Sequence, residues 1–206
     1  GAPMRDLTKV QRHILFPRKK YFVIYDEFAS ASDSIYSQLY HVLEDTLTID
    51  TNGMKFNYVS TNQLGKGQSV TTYVAQVTAP SGLNMVHLSG NDVAKNLFLP
   101  GYFGSSDNHP RAHAIWTNTK LKAKTGHFLT VIYPVKPGND VPEIIRKDDY
   151  TVEVNNGSEH DIISFDANTS FPATIKVDLK AMGISGDIKL KPTTPRLIKA
   201  EDPGND

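Results

Sequence analysis

The chain has 206 residues, 22 Lys plus Arg against 22 Asp plus Glu, and no cysteine. A zero net charge argues against a dedicated nucleic-acid binder, which carries a strongly basic balance, and the missing thiols exclude disulfides, thiolate-ligated metals and cysteine nucleophiles. The length suits one large domain or two small ones, and no apolar run approaches the roughly 18 residues needed to span a bilayer.

In chain order, Gly1-Ala2-Pro3-Met4 reads as a cloning scar or a trimmed end, and residues 1–9 are set aside as scar or linker. Six basic residues (Arg5, Lys9, Arg12, Arg18, Lys19, Lys20) then lead into the continuous apolar run Tyr21-Phe22-Val23-Ile24-Tyr25. A first strand is predicted over 20–29. Because its apolar residues do not alternate with polar ones, it should be buried on both faces. It ends at Asp26-Glu27. Adjacent strand residues point to opposite faces, so this acid pair cannot converge on one substrate atom and reads as structural, one acid bonding a turn and the other meeting Arg12 or Arg18. Ser30 to Ser34 reads as a turn.

Residues 35–43, "IYSQLYHVL", could form a helix, but β-branched and aromatic residues favour a strand. In it Tyr40 and His41 point to opposite faces, and His41 is a candidate core histidine. Thr46–Asp50 and Met54–Ser60 flank Thr51-Asn52-Gly53, and Asn-Gly is a strong hairpin signal. Further strands are predicted over 69–78 and 83–88, a long alternating one over 112–124, and a continuous apolar one over 127–135. Lys120, Lys122 and Lys124 fall on one face of the 112–124 strand, either as a solvated protective row or as a contact for an anionic polymer. The basic residues of the first 20 carry the same two readings. Residues 136–149 look like an internal seam. Short strands follow at 150–155, 160–166, 173–179, 186–191 and 195–200, and 201–206 is a loose charged tail. No helix of three turns is convincing. The predicted class is therefore all-β, a large two-sheet antiparallel β-sandwich of about a dozen strands over residues 10–200.

The longest stretch without a strand pattern is Gly90 to Arg111, "GNDVAKNLFLPGYFGSSDNHPR". Loops held by a rigid scaffold often carry function. The aromatic and hydrogen-bonding groups Tyr102, Phe103, Asp107, Asn108, His109 and Arg111 would suit a sugar, while the plain alternative is a crossing loop over one end of the sandwich. The candidate substrate-binding set is Tyr102, His109, Arg111, His113 and Trp116. His109 and His113 have the four-residue spacing of a helical metal pair. Pro110 and the strand beginning near Ala112 deny them helical geometry, and no third ligand stands at a convincing spacing, so no metal and no cofactor are expected. The other histidines are scattered singly. "GKGQS" at 65–69 lacks the Gly-Lys-Ser/Thr ending of a phosphate loop and is discarded.

Arg12-His13-Ile14-Leu15-Phe16 running into Tyr21-Phe22-Val23-Ile24-Tyr25-Asp26, followed by Leu39-Tyr40-His41, resembles a segment of the heparinase II/III-like polysaccharide lyases. "HFLTVIYP" at 127–134 looks like that family's core-closing strand. The resemblance is clearest over residues 10–45 and 112–135 and rests on strand types, with no catalytic signature. It implies a C-terminal β-sandwich that accompanies an N-terminal α/α toroid. The whole enzyme cleaves uronic-acid-containing polysaccharides by β-elimination, in the periplasm or after secretion. The family's catalytic Tyr, His and Asn or Glu belong mainly to the toroid and to a His-rich segment upstream of the match, so no catalytic residue carries over. The expected partners are an acidic polysaccharide and the toroid of the same parent protein, with no nucleic acid and no membrane span. In this reading the basic stretch is the connection arriving from the catalytic part. The chain alone is not expected to turn over substrate. A free-standing carbohydrate-binding or adhesion module is the alternative, acting through Tyr102, Phe103 and Trp116, and a purely structural domain is a third reading.

Overall fold

The computed structural model describes residues 6–43, 46–61, 69–78, 82–90, 112–157, 159–165, 174–179 and 184–189. Among them the chain forms strands β1 (Leu7–Leu15), β2 (Phe22–Ser34), β3 (Ser37–Leu43), β4 (Leu47–Asp50), β5 (Lys55–Thr61), β6 (Ser69–Gln76) and β7 (Leu83–Ser89). After the 91–111 stretch come β8 (Ala112–Thr119), β9 (Ala123–Val135), β10 (Glu143–Arg146), β11 (Thr151–Asn156), β12 (Glu159–Phe165), β13 (Thr174–Leu179) and β14 (Ile184–Lys189). A single 3-10 turn, Pro17–Lys19, joins β1 to β2. The all-β antiparallel sandwich expected from the sequence is what forms.

The strands are divided among three sheets, ordered β1-β2-β9-β6-β5-β4, β10-β11-β12-β13-β14 and β3-β8-β7. The six-stranded sheet has a core on each face. On one side Tyr21, Val23, Tyr25, Leu129, Val131 and Tyr133 pack with Val152, Val154, Ile163 and Phe165 of the five-stranded sheet. On the other, Phe56, Val74 and Phe128 pack with Tyr36, Val42, Leu83, Met85 and Ile115, largely from the three-stranded sheet. The expectation that the apolar run of β2 is buried on both faces holds on one side, where Tyr21, Val23 and Tyr25 enter the first core. On the other, Phe22 is 38% exposed and stacks on Phe16 and Ile24 is half-buried, because the three-stranded sheet covers that face only further along, at Phe28. Each fully buried Val, Leu, Ile or Phe stabilises the fold by about 1.5–3 kcal/mol.

Several sequence expectations need correction. The basic stretch before β2 is a strand, β1, whose register sets Arg12 opposite Asp26 and Ile14 opposite Ile24. Its exposed Val10, Arg12 and Ile14 hide the alternation that a half-buried strand would show. The expected 112–124 strand breaks at 120–122, where the chain turns into β9, so Lys120, Lys122 and Lys124 do not form a row on one strand. His41 is exposed on the outer face of β3, with Tyr40 on the inner face. The predicted turn at 30–34 is instead the end of β2, and β10 lies within the predicted seam. The Asn52-Gly53 hairpin forms as read, with Asp50 opposite Lys55. The predicted 195–200 strand and the 201–206 tail lie outside the described residues.

Candidate functional site

Of the five predicted substrate contacts, Tyr102, His109 and Arg111 lie outside the described residues. His113 and Trp116 both lie on β8, but the register assigns them to opposite faces. His113 stands opposite Val42 and Ser89, and Trp116 opposite Leu39 and Val86. The half-buried Trp116 thus belongs to an outer row with Leu39, which is 40% exposed. His113 instead meets His87 of β7, with His87 Nε2 3.0 Å from His113 Nδ1. Nothing in the spacing of residues 87 and 113 announces this pair. It depends on the β7/β8 register.

The acid pair behaves as the strand geometry requires. Asp26, 1% exposed, accepts two hydrogen bonds from the Arg12 guanidinium, from Nε at 2.6 Å and Nη2 at 2.8 Å. It also accepts one from Gln38 Nε2 at 3.1 Å. Gln38 continues into a buried network in which Gln76 Nε2 donates to Gln38 Oε1, and the Thr130 hydroxyl is shared with Gln76 Oε1 at 2.9 Å and Gln38 Oε1 at 3.2 Å. Tyr40 closes it, 3.3 Å from the Thr130 hydroxyl. Burial is the main reason the Tyr40 hydroxyl is pushed up to about 12. Polar groups in such a place are tolerated because each has a partner.

Glu27 faces the other core. It accepts from Lys9 Nζ at 3.1 Å and lies 3.3 Å from His13 Nε2. Burial alone would raise its pKa, but the hydrogen bonds from His13 and Lys9 outweigh this and hold it below the usual carboxylate range. Beyond it the rings of Tyr25, His127 and Tyr150 form a chain, His127 stacking on Tyr150 with centroids 4.6 Å apart. A third cluster ties β12 to the β1–β2 turn. Asp161 Oδ2 accepts from Arg18 Nε at 2.8 Å and from the Tyr21 hydroxyl at 2.8 Å, with the Arg18 and Asp161 side chains 5% and 2% exposed.

These clusters hold charges in place but offer little acid–base chemistry. Burial is the largest cause raising the pKa of Tyr21, Tyr25 and Tyr40 alike, which makes each hydroxyl harder to ionise. Among the described residues, no group of three or more His, Asp or Glu gathers to hold a metal ion. A groove of about 790 Å³ lies between β4–β6 and the outer strand β10. Tyr73, Asn57 and Lys55 line one wall, Glu143 and Arg146 the other. No sequence motif marks this groove, because its two walls are brought together only by the stacking of separate sheets.

No family model matches the chain, and no curated protein matches it. Solved structures do. A heparinase III, the BT4657 gene product, aligns at 19% identity with a TM-score of 0.52, covering 92% of this chain and 25% of that one. The heparan sulfate lyase HepC from Pedobacter heparinus aligns at 16% identity with a TM-score of 0.54, covering 95% of this chain and 26% of that one. The chain thus spans about a quarter of the length of the lyases it matches. No helix among the described residues is long and apolar enough to cross a membrane. This chain has the all-β fold that makes up that quarter of heparinase III and heparan sulfate lyase structures, as the sequence resemblance implies.

Proposed function

We propose that the chain is the β-sandwich domain of a heparinase II/III-like polysaccharide lyase, which supports a helical catalytic part, lines its cleft and does not turn over substrate alone. The observation that carries this is the structural match over 92% of the chain to only a quarter of a heparinase III. The described side chains agree with it, since the buried carboxylates Asp26, Glu27 and Asp161 are engaged by Arg12, Lys9 and Arg18. The substrate of the whole enzyme would be an acidic, uronic-acid-containing polysaccharide, met in the periplasm or outside the cell. Tyr102, His109 and Arg111 are the proposed contacts from this domain, together with His113 or Trp116, which serve opposite faces of β8. The test is ultraviolet absorbance of unsaturated uronate ends, with the chain incubated with heparin, heparan sulfate, chondroitin sulfate, hyaluronan and alginate in turn. Flat traces are expected throughout. Sustained product formation by the chain alone would overturn the reading.

A second reading is a free-standing carbohydrate-binding module, favoured by the groove beside Tyr73. An aromatic face flanked by amide and charged groups is a common way to hold a sugar ring in a concave site. Calorimetric titration of the same glycans separates the readings. Affinity without any partner domain, weakened at least tenfold by Tyr73→Ala, supports the module. No affinity, or affinity insensitive to Tyr73→Ala and Trp116→Ala, removes it.

A further inference from the structure

The β7/β8 register brings His87 and His113 together at the end of the three-stranded sheet. His87 is opposite Ile115, and His113 is opposite Ser89, so the two imidazoles share a face and are offset by one two-residue step. Further along the same face Met85 and Ile115 are buried in the core, while at the sheet end His87 is exposed and His113 half-buried. Their ring centroids are 5.2 Å apart with planes inclined at 35°. His87 Nε2 and His113 Nδ1 face each other across 3.0 Å.

That contact is a hydrogen bond only while one ring carries a proton between the two nitrogens. With that proton removed, two ring nitrogens 3.0 Å apart are free to accept a cation once the rings turn toward a common point. Imidazole–metal bonds are about 2.0–2.1 Å long, so two nitrogens at right angles on one ion lie about 3.0 Å apart, and at the tetrahedral angle about 3.4 Å apart. The observed separation is that of two neighbouring positions of a square or octahedral sphere, the geometry preferred by Cu(II) and Ni(II).

We propose that His87 and His113 form a two-imidazole site for a late first-row divalent ion, Cu(II) before Ni(II), with solvent filling the remaining positions. The site is independent of the lyase reading, because it needs only the β7/β8 register. Among the described residues its protein ligands are the two imidazoles.

The experiment is calorimetric titration of the intact chain with Cu(II), Ni(II) and Zn(II) separately, with electron paramagnetic resonance of the copper form. One equivalent of Cu(II) is expected, its spectrum showing two nitrogen ligands. His87→Gln and His113→Gln should each weaken binding at least tenfold, and His41→Gln, an exposed histidine on the opposite face, should leave it unchanged. Far-ultraviolet circular dichroism and the urea midpoint confirm that each variant stays folded. Copper binding that survives His113→Gln, or that falls equally with His41→Gln, would overturn the assignment. Zn(II) binding tighter than Ni(II) would overturn the right-angle geometry.

Discussion

Arg18 and Lys19 sit in the left-handed region, with φ of 54° and 55°, without being glycine. Such conformations cost of order 1–3 kcal/mol each and persist where the surroundings impose them. Here the imposing contact is the Arg18–Asp161 pair, which seats the turn on β12. Breaking a buried pair leaves an uncompensated charge, at a cost of about 3–5 kcal/mol. Asp161→Ala is expected to destabilise the chain by that amount in urea denaturation, since Tyr21 loses its acceptor as well. Arg12→Ala should cost less, because the Arg12 side chain is 54% exposed and Asp26 retains Gln38. His127 is a different case. Its Nε2 is buried without a hydrogen-bond partner, and burial, opposed by the Asp149 contacts, lowers its pKa below 6.5. The folded state therefore binds fewer protons here than the unfolded state, and its stability is fully present above pH 6.5 and declines as the pH falls through the folded value. Glu27, also depressed, adds a second decline below its ordinary 4.5. His127→Phe keeps the ring against Tyr150 and has no titrating group. It is expected to shrink the first decline to the part contributed by His87, whose pKa burial also lowers, and to leave the second, as read from urea midpoints across the acid range.

At the scale of elements, the stacking of sheets depends on close approaches that sequence propensity opposes. Gly126 lies in the middle of β9, opposite Phe28. Glycine weakens a strand interior, yet a Cβ here would run into the ring of Tyr36. That ring cannot easily move aside. Its hydroxyl donates to the Lys124 carbonyl at 2.8 Å and lies 2.7 Å from Ser30 Oγ, and its face stacks on Phe28 at 5.4 Å. Gly126→Ala should therefore destabilise by about 1–3 kcal/mol as overpacking does, and Gly126→Ala with Tyr36→Leu should recover part of the loss. A thermal unfolding comparison of the two variants checks this. β1 shows the opposite relation between pattern and structure. Val10 and Ile14 are 64% and 59% exposed, so the strand presents apolar groups to solvent where a simple reading of alternation expects charges.

At the scale of the molecule, the six-stranded sheet is common to both cores. Neither outer sheet can leave without exposing a face of β2 and β9, so the described sheets should unfold as one cooperative unit. Trp116, the one tryptophan of the chain, sits in the three-stranded sheet and reports that layer by fluorescence. Circular dichroism reports all three sheets. The two urea transitions are expected to coincide in midpoint and slope, and a fluorescence transition preceding the dichroism would show that the three-stranded sheet melts alone.

Much of this fold was legible beforehand, for physical reasons that differ by element. The apolar run of β2 had to be a strand with a buried face, and Asn-Gly must turn, so local sequence alone determined both. The opposition of Asp26 and Glu27 followed from the period of a strand. The end of β8 was not legible, because Lys120-Leu121-Lys122 carries no glycine or proline and turns only because β9 has a partner in β2. The division into three sheets, the groove beside Tyr73 and the meeting of His87 with His113 were likewise hidden. Each depends on which strands neighbour one another and in what register, a choice made by the packing of residues far apart in the chain. Sequence by itself determined most of the strands and the all-β class, because those follow from side-chain chemistry over a few residues. Only the tertiary structure decided which faces meet, and the candidate sites lie where they do.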